Sequence, residues 1–235
     1  YGEAVEYGYC VPAVFHRHDG NFNVKIDENE TIKVSGRKKA IFPNDLKKIP
    51  GLKNTLNFMN LVRTPKIERN GLPSLNGYQA SMIKYGIKKL DEIRQRMPEA
   101  GGLIIANNIE MANYMAKIIE MIEGEAPFIV HSQVANSEQK IQAFRNSSKR
   151  WIISVAMISE GVDIKRLRVL VYLPNALTEL AFRQAIGRVV RTYGPKDDSR
   201  AYIIMPVLDT LEKYAKRIER EMSPHLKKQD KIKFK

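Results

Sequence analysis

Residues 151–191 read WIISVAMISEGVDIKRLRVLVYLPNALTELAFRQAIGRVVR, and this stretch decides the fold. It holds two short apolar runs rich in Ile and Val, at 151–155 and 169–173. Runs of that length and composition read as buried parallel strands. Gly161 and Asp163 fall in the loop after the first run. The segment 177–191 reads as a helix after the second, with Arg188 and Arg191 three apart and so on one face.

The same alternation extends outward. GLIIA at 102–106, PFIV at 127–130 and AYIIM at 201–205 are further short strands. Between them, 109–123 reads as a helix packed through Met111, Met115, Ile118, Ile119 and Ile122. A second helix is expected from Ser137, as its cap, through Phe144. Upstream, 78–97 carries a one-sided stripe of Met82, Ile83, Ile87, Leu90 and Ile93, with Gly86 as a weak point. Repeated strand–helix alternation needs crossovers, which place helices on both faces of a parallel sheet. The fold class is therefore α/β, with an N-terminal accessory region. Such sheets take ligands beyond their strand C-terminal ends. Asn107, Asn108, His131, Ser132, residues 159–163 and the helix leading to Arg191 all follow strand ends.

Residues 1–77 read as an accessory region. FNVKI and TIKV flank Asp27-Glu28-Asn29-Glu30 and form a β-hairpin with a charged turn. The acidic tetrad is no Walker B motif, because FNVKI alternates as a half-exposed strand does. Arg37, Lys38, Lys39, Lys47 and Lys48 make the next stretch basic. A short helix is expected at 54–63, and RNGLPSLNG at 69–77 marks a boundary. The core domain then spans 78–210. A basic helix or linker, 211–235, follows and is expected to break near Pro224.

Composition narrows the function. A formal charge of +13 over 235 residues favours a polyanionic partner, with nucleic acid first. The single Cys10 excludes an intrachain disulfide framework and fits a reducing, cytoplasmic setting. No apolar run reaches the roughly 20 residues of a membrane span. The chain opens on YGEAVEYGYC, without a start methionine or a signal-peptide pattern, and is expected to be part of a longer protein.

SEGVD followed by QAIGRVVR resembles motifs V and VI of superfamily 2 helicases and translocases. The pattern is similar to the branch of type III restriction subunits and excision-repair helicases. The resemblance covers roughly 101–206, and residues 1–15 are similar to the approach to the second motor domain. It implies a RecA-like helicase C-terminal domain. By resemblance, Arg191 is the γ-phosphate finger and Arg188 a second phosphate or interdomain contact. Gly161, Asp163, Gln184 and Gly187 fall at ATP-facing positions. Asn107, Asn108, His131, Ser132, Ser154 and Met157 fall along the nucleic-acid track.

Glu160, Gln184 and Val155 depart from the arginine, histidine and threonine usual in DEAD-box RNA helicases, which favours DNA over RNA. Ala156 departs from the Asp or Asn frequent in DNA-type relatives and puts one motif V contact in doubt. No GxxxxGK[ST] occurs. The resemblance therefore implies that ATP and Mg2+ are held mainly by a first RecA-like domain of the same protein. The 235 residues alone are expected to hydrolyse no ATP. A non-catalytic nucleic-acid-binding module with a degenerate motor fold is the alternative, disfavoured by the intact QAIGRVVR. The motor part of a restriction system is another. A solitary nucleotide-binding domain lacks the glycine-rich first turn it would need.

Overall fold

Successive residues of a strand point to opposite faces. A strand apolar at every position therefore needs a core on each side. The computed structural model describes residues 1–235 apart from 27, 29, 39–41, 43, 45, 134–135, 156–163, 195–196 and 234–235, with side chains to 224. Its strands are β1 (Ala13–His18), β2 (Asn21–Lys25), β3 (Thr31–Ser35), β4 (Gly101–Ala106), β5 (Phe128–Val130), β6 (Trp151–Val155), β7 (Leu167–Tyr172) and β8 (Ala201–Pro206). Six of them form one parallel sheet in the order β1-β8-β7-β4-β6-β5. β2 and β3 pair as the expected antiparallel hairpin.

Three short helices, α1 (Gly2–Glu6), α2 (Leu52–Thr55) and α3 (Phe58–Val62), come first, and longer helices cover both faces of the sheet, giving the RecA-like arrangement. On one side α4 (Tyr78–Arg94) and α5 (Ile109–Glu123) pack Met82, Ile83, Leu90, Met111, Met115 and Ile118 against Ile104, Ile153, Val169 and Val171. On the other, α6 (Ser137–Arg145), α7 (Glu179–Gly187) and α8 (Asp209–Lys233) pack Ile141, Phe144, Phe182, Ile186, Leu211 and Ile218 against Leu103, Ile152, Leu170 and Tyr172.

Gly86, the weak point of the α4 stripe, is a packing seat. A Cβ there would lie 3.0 Å from Val171 and 3.2 Å from Trp151. At Gly102 a Cβ would lie 2.1 Å from the Trp151 ring. The two glycines let the buried indole lie between sheet and helix.

Four expectations change. Residues 13–18, grouped by sequence with the accessory region, form the edge strand of the main sheet, in register with β8 from Ala13↔Ala201 to His18↔Pro206. Their His and Arg side chains are only half-buried, so the segment lacks the apolar run of a central strand. The N-cap of α6 is Asn136, at φ 63°, because the Ser137 hydroxyl donates to the His131 carbonyl instead. Helix α7 stops at Gly187, short of 191. Helix α8 runs through Pro224, its preceding turns fixed by buried Leu211, Ala215, Ile218 and Met222.

The end of β1 makes stability pH-dependent. His18 Nε2 lies 2.7 Å from Ser81 Oγ, whose hydroxyl donates to the Tyr78 carbonyl. His18 therefore donates from Nε2, and its Nδ1, 3.2 Å from His16 Nε2, accepts. A second proton on Nδ1 would meet that donor. Burial first, and His16 second, push the His18 pKa down to about 4 from an ordinary 6.5. Below pH 6.5 the unfolded chain takes up a proton that the folded chain refuses. Stability is thus full above pH 6.5 and falls as pH drops toward about 4, by about 2 kcal/mol after allowance for partial exposure. Urea midpoints across that window will show the decline, and His18→Gln, which keeps a donor to Ser81, will flatten it.

Candidate functional site

In a parallel sheet the helix after a strand runs back across it. Each crossover therefore joins the two edges of the sheet, and the candidate residues divide between them.

At the C-terminal edge, β4, β6 and β5 are adjacent, with Ile105 opposite Ser154 and Val130 opposite Ser154. Three loops thus emerge side by side. Asn107 follows β4, half-buried, with a buried Oδ1 that no donor among the described residues satisfies. Asn108 is exposed, yet its side chain accepts from the Met111 amide at 2.7 Å and caps α5. Its oxygen is thereby committed to the fold. His131 and Ser132 follow β5. His131 is half-buried and its Nδ1 accepts from the Gln133 amide at 3.3 Å, whereas Ser132 is exposed. Ser154 is buried, 1% exposed, with a hydroxyl that has no partner among the described residues, so it lies a layer beneath the surface. Met157, Gly161 and Asp163 lie outside the described residues.

The helix leading to the arginines does follow a strand end, but its far end reaches the opposite edge. Thr178 caps α7 through the Ala181 amide at 3.2 Å, and Glu179 starts it. Nine residues later the helix is finished. The amides of Arg188 and Val189 donate to the carbonyls three residues back, which tightens the last turn. The Val11 amide then donates to the Val190 carbonyl at 2.7 Å, and Arg191 bridges Cys10. This extended pairing with the segment before β1 takes the chain out of the helix. Arg188 is therefore the C-cap and Arg191 lies beyond it, so they do not share a helical face. Both are half-buried. Arg191 Nε donates to the Gly187 carbonyl at 3.4 Å.

A cavity of about 490 Å³ opens at this edge. Gly187, Arg191, Thr192, Lys165, Cys10 and Tyr9 are among its walls. Burial raises the Cys10 thiol pKa, while the N-terminal ammonium and Arg191 act in the opposite direction. Gln184 is exposed on α7. At Gly187 an added Cβ would meet nothing within 4 Å. No neighbour among the described residues requires glycine there.

Sequence reading missed three features around these edges. Tyr9, Cys10 and Lys165 bring two distant segments to the cavity. Arg63 reaches from the accessory region to donate to the Pro174 and Asn175 carbonyls beyond β7. Arg168, fully buried, pairs with Asp197 at 2.7 Å behind the arginine segment. Of these, only Arg168 left a signal, as a charge inside an apolar run.

Residues 86–193 match the family model described as the helicase conserved C-terminal domain. An uncharacterized protein of Mycobacterium tuberculosis is 35% identical over 157 residues, which are 67% of this chain and 26% of that protein. An uncharacterized protein of Mycobacterium leprae is 34% identical over the same length and shares. The chain thus spans about a quarter of the length of these relatives. Among solved structures, the C-terminal part of the Fun30 ATPase domain superposes with a TM-score of 0.48 at 11% identity, covering 67% of this chain and 48% of that one. Domain 2 of the DEAD-box helicase Mss116p, bound to an RNA duplex, gives 0.45 at 10% identity over 60% and 55%. Residues 86–193, which run from within α4 through α7 and take in Arg188 and Arg191, are thus similar to the helicase conserved C-terminal domain.

Proposed function

We propose that this domain is the second half of an ATP-driven DNA translocase or helicase, with the two edges of its sheet doing separate work. The supporting observation is the division itself. Arg188, Arg191 and the cavity lie at one edge; Asn107, His131 and Ser132 lie at the other. Val155 and Ile164, the described residues on either side of 156–163, also belong to opposite edges, since Val155 ends β6 and Ile164 precedes β7. One crossover helix and one connecting segment therefore join a phosphate-facing edge to a nucleic-acid-facing one.

The substrate is ATP, held with Mg2+ by a first RecA-like domain of the same protein. Charge spreads over the γ-phosphate oxygens during transfer, and an arginine from across the interface stabilises it. Arg191 suits this role, because a guanidinium stays charged and grips phosphate oxygens in a fork. Arg188, at the helix end, provides a second contact. Gly187 leaves the approach open. Gln184, exposed, is placed to hydrogen-bond near the nucleotide, and the resemblance assigns Gly161 and Asp163 to the same task. At the opposite edge, small polar groups at Asn107, His131 and Ser132 suit sequence-independent contact with a phosphate backbone. Asn108 contributes by holding α5, and Ser154 supports the loops above it. Closure on ATP and release after hydrolysis would step this edge along DNA.

Assays of the intact protein test the reading: ATP turnover is expected to rise with added DNA, more than with RNA. Absence of turnover on every nucleic acid tried would favour a binding module. Gly187→Ala separates catalysis from folding. The position has negative φ and open space, so alanine should stabilise the chain by up to about 1 kcal/mol. If phosphate approaches there, turnover of the intact protein falls about tenfold to a hundredfold. Thermal melts and ATPase rates on one preparation give both numbers.

A further inference from the structure

We infer that Lys38, Lys48, Lys53 and Lys66 form a second nucleic-acid contact surface, which extends the strand-end track onto the accessory region. The inference rests on the nucleic-acid reading above and adds to it a site outside the matched domain.

Charge is the first observation. The stretch 36–66 holds eight Lys or Arg against one Asp, a net +7 of the chain's +13. Pairing is the second. Elsewhere several basic side chains meet acids: Lys89 meets Glu92, Lys117 meets Glu120, Arg150 meets Asp91 and Glu123, and Arg183 meets Glu179 and Glu221. Lys38, Lys48, Lys53 and Lys66 are exposed, and among the described residues none has an acidic partner. Cations left unpaired in one segment repel one another, and a polyanion relieves that repulsion.

Placement is the third. Gly36 and Arg63 lie against the C-terminal edge of the sheet. A Cβ on Gly36 would lie 2.6 Å from the Val207 carbonyl, just past β8. Arg63 grips the carbonyls of Pro174 and Asn175 past β7. The Lys66 backbone exchanges hydrogen bonds with the Tyr114 hydroxyl on α5, at 3.0 and 3.1 Å. The unpaired lysines therefore continue the edge that carries Asn107, Ser132 and His131, across β7 and β8. Lysine ammoniums and the absence of an aromatic ladder suit backbone phosphates, not stacked bases.

The test measures binding of a fluorescent DNA duplex to the intact protein as a function of salt. Each phosphate contact contributes about −0.9 to the slope of log K against log salt. The variant Lys38→Gln/Lys48→Gln/Lys53→Gln/Lys66→Gln should flatten the slope by roughly three to four. The matching four Lys→Arg changes should preserve it. Circular dichroism melts verify that both variants fold, as expected for exposed side chains. A slope and affinity unchanged in the glutamine variant would overturn the inference while leaving the motor reading intact. No binding of any nucleic acid by wild type would instead overturn the reading on which it rests.

Discussion

Arg191→Ala in the intact protein is expected to lower DNA-stimulated ATP turnover by about three to five orders of magnitude, with ATP binding retained. The size follows from what the residue would do. A finger acts on charge that develops in the transition state and adds little to ground-state binding. Its loss should appear in kcat and leave KM for ATP nearly constant. The structure also allows a structural component, because Arg191 bridges Cys10 and bonds the Gly187 carbonyl. Arg191→Lys separates the two. Lysine keeps the charge and loses the fork, so a true finger stays severely impaired, whereas a packing role recovers. A parallel Arg188→Ala, at the helix C-cap, should cost less, because that side chain is assigned the secondary contact. Unchanged turnover in Arg191→Ala would move the phosphate contact elsewhere in the chain.

The positions of these arginines show how far the sequence could be read. Periodicity placed the apolar stripe of α4, the whole of α5 and the central strands, because burial on two faces demands those patterns. The same periodicity could not reveal where α7 ends. The segment 187–191 has helical spacing, but the amides and carbonyls of 10–11, far away in sequence, compete for its backbone. β1 escaped for a related reason: an edge strand needs only one paired side, so its HRH end shows no apolar run. The resemblance picked out the motif VI residues, and strand ends picked out Asn107 and His131. Neither indicated that the two groups face opposite edges. That follows from crossover geometry, once β7 is known to lie between β8 and β4.

The segment that carries Arg191 continues into 192–199, and one buried ion pair organises it. Arg168 is fully buried, on the edge of β7 opposite the loops of Asn107 and His131. Its guanidinium donates to the carbonyls of Lys165 and Leu167, to Ser199 Oγ and to Asp197 Oδ2. Burial lowers the arginine pKa, and the Asp197 carboxylate opposes that. Asp197 in turn accepts from the Ser199 hydroxyl and amide and from the Tyr193 amide. Burial acts to raise its pKa, yet Ser199, Tyr193 and Arg168 together hold it below the usual carboxylate range.

Asp197→Ala would leave a buried charge without its counterion, which costs about 3–5 kcal/mol. For a chain of this size that is a fall in Tm of roughly 10 °C. The double change Asp197→Leu/Arg168→Met removes both charges and should recover most of the loss. If Asp197→Ala alone melts like wild type, the pair is not the anchor of this segment. In the intact protein at a temperature where the variant stays folded, ATP turnover should also fall, because the turn after Arg191 loses the carboxylate that holds the Tyr193 amide. The double variant, stable but lacking that carboxylate, should keep the catalytic defect. Stability and turnover would then separate, and the loss of rate would belong to the placement of Arg191 and not to unfolding.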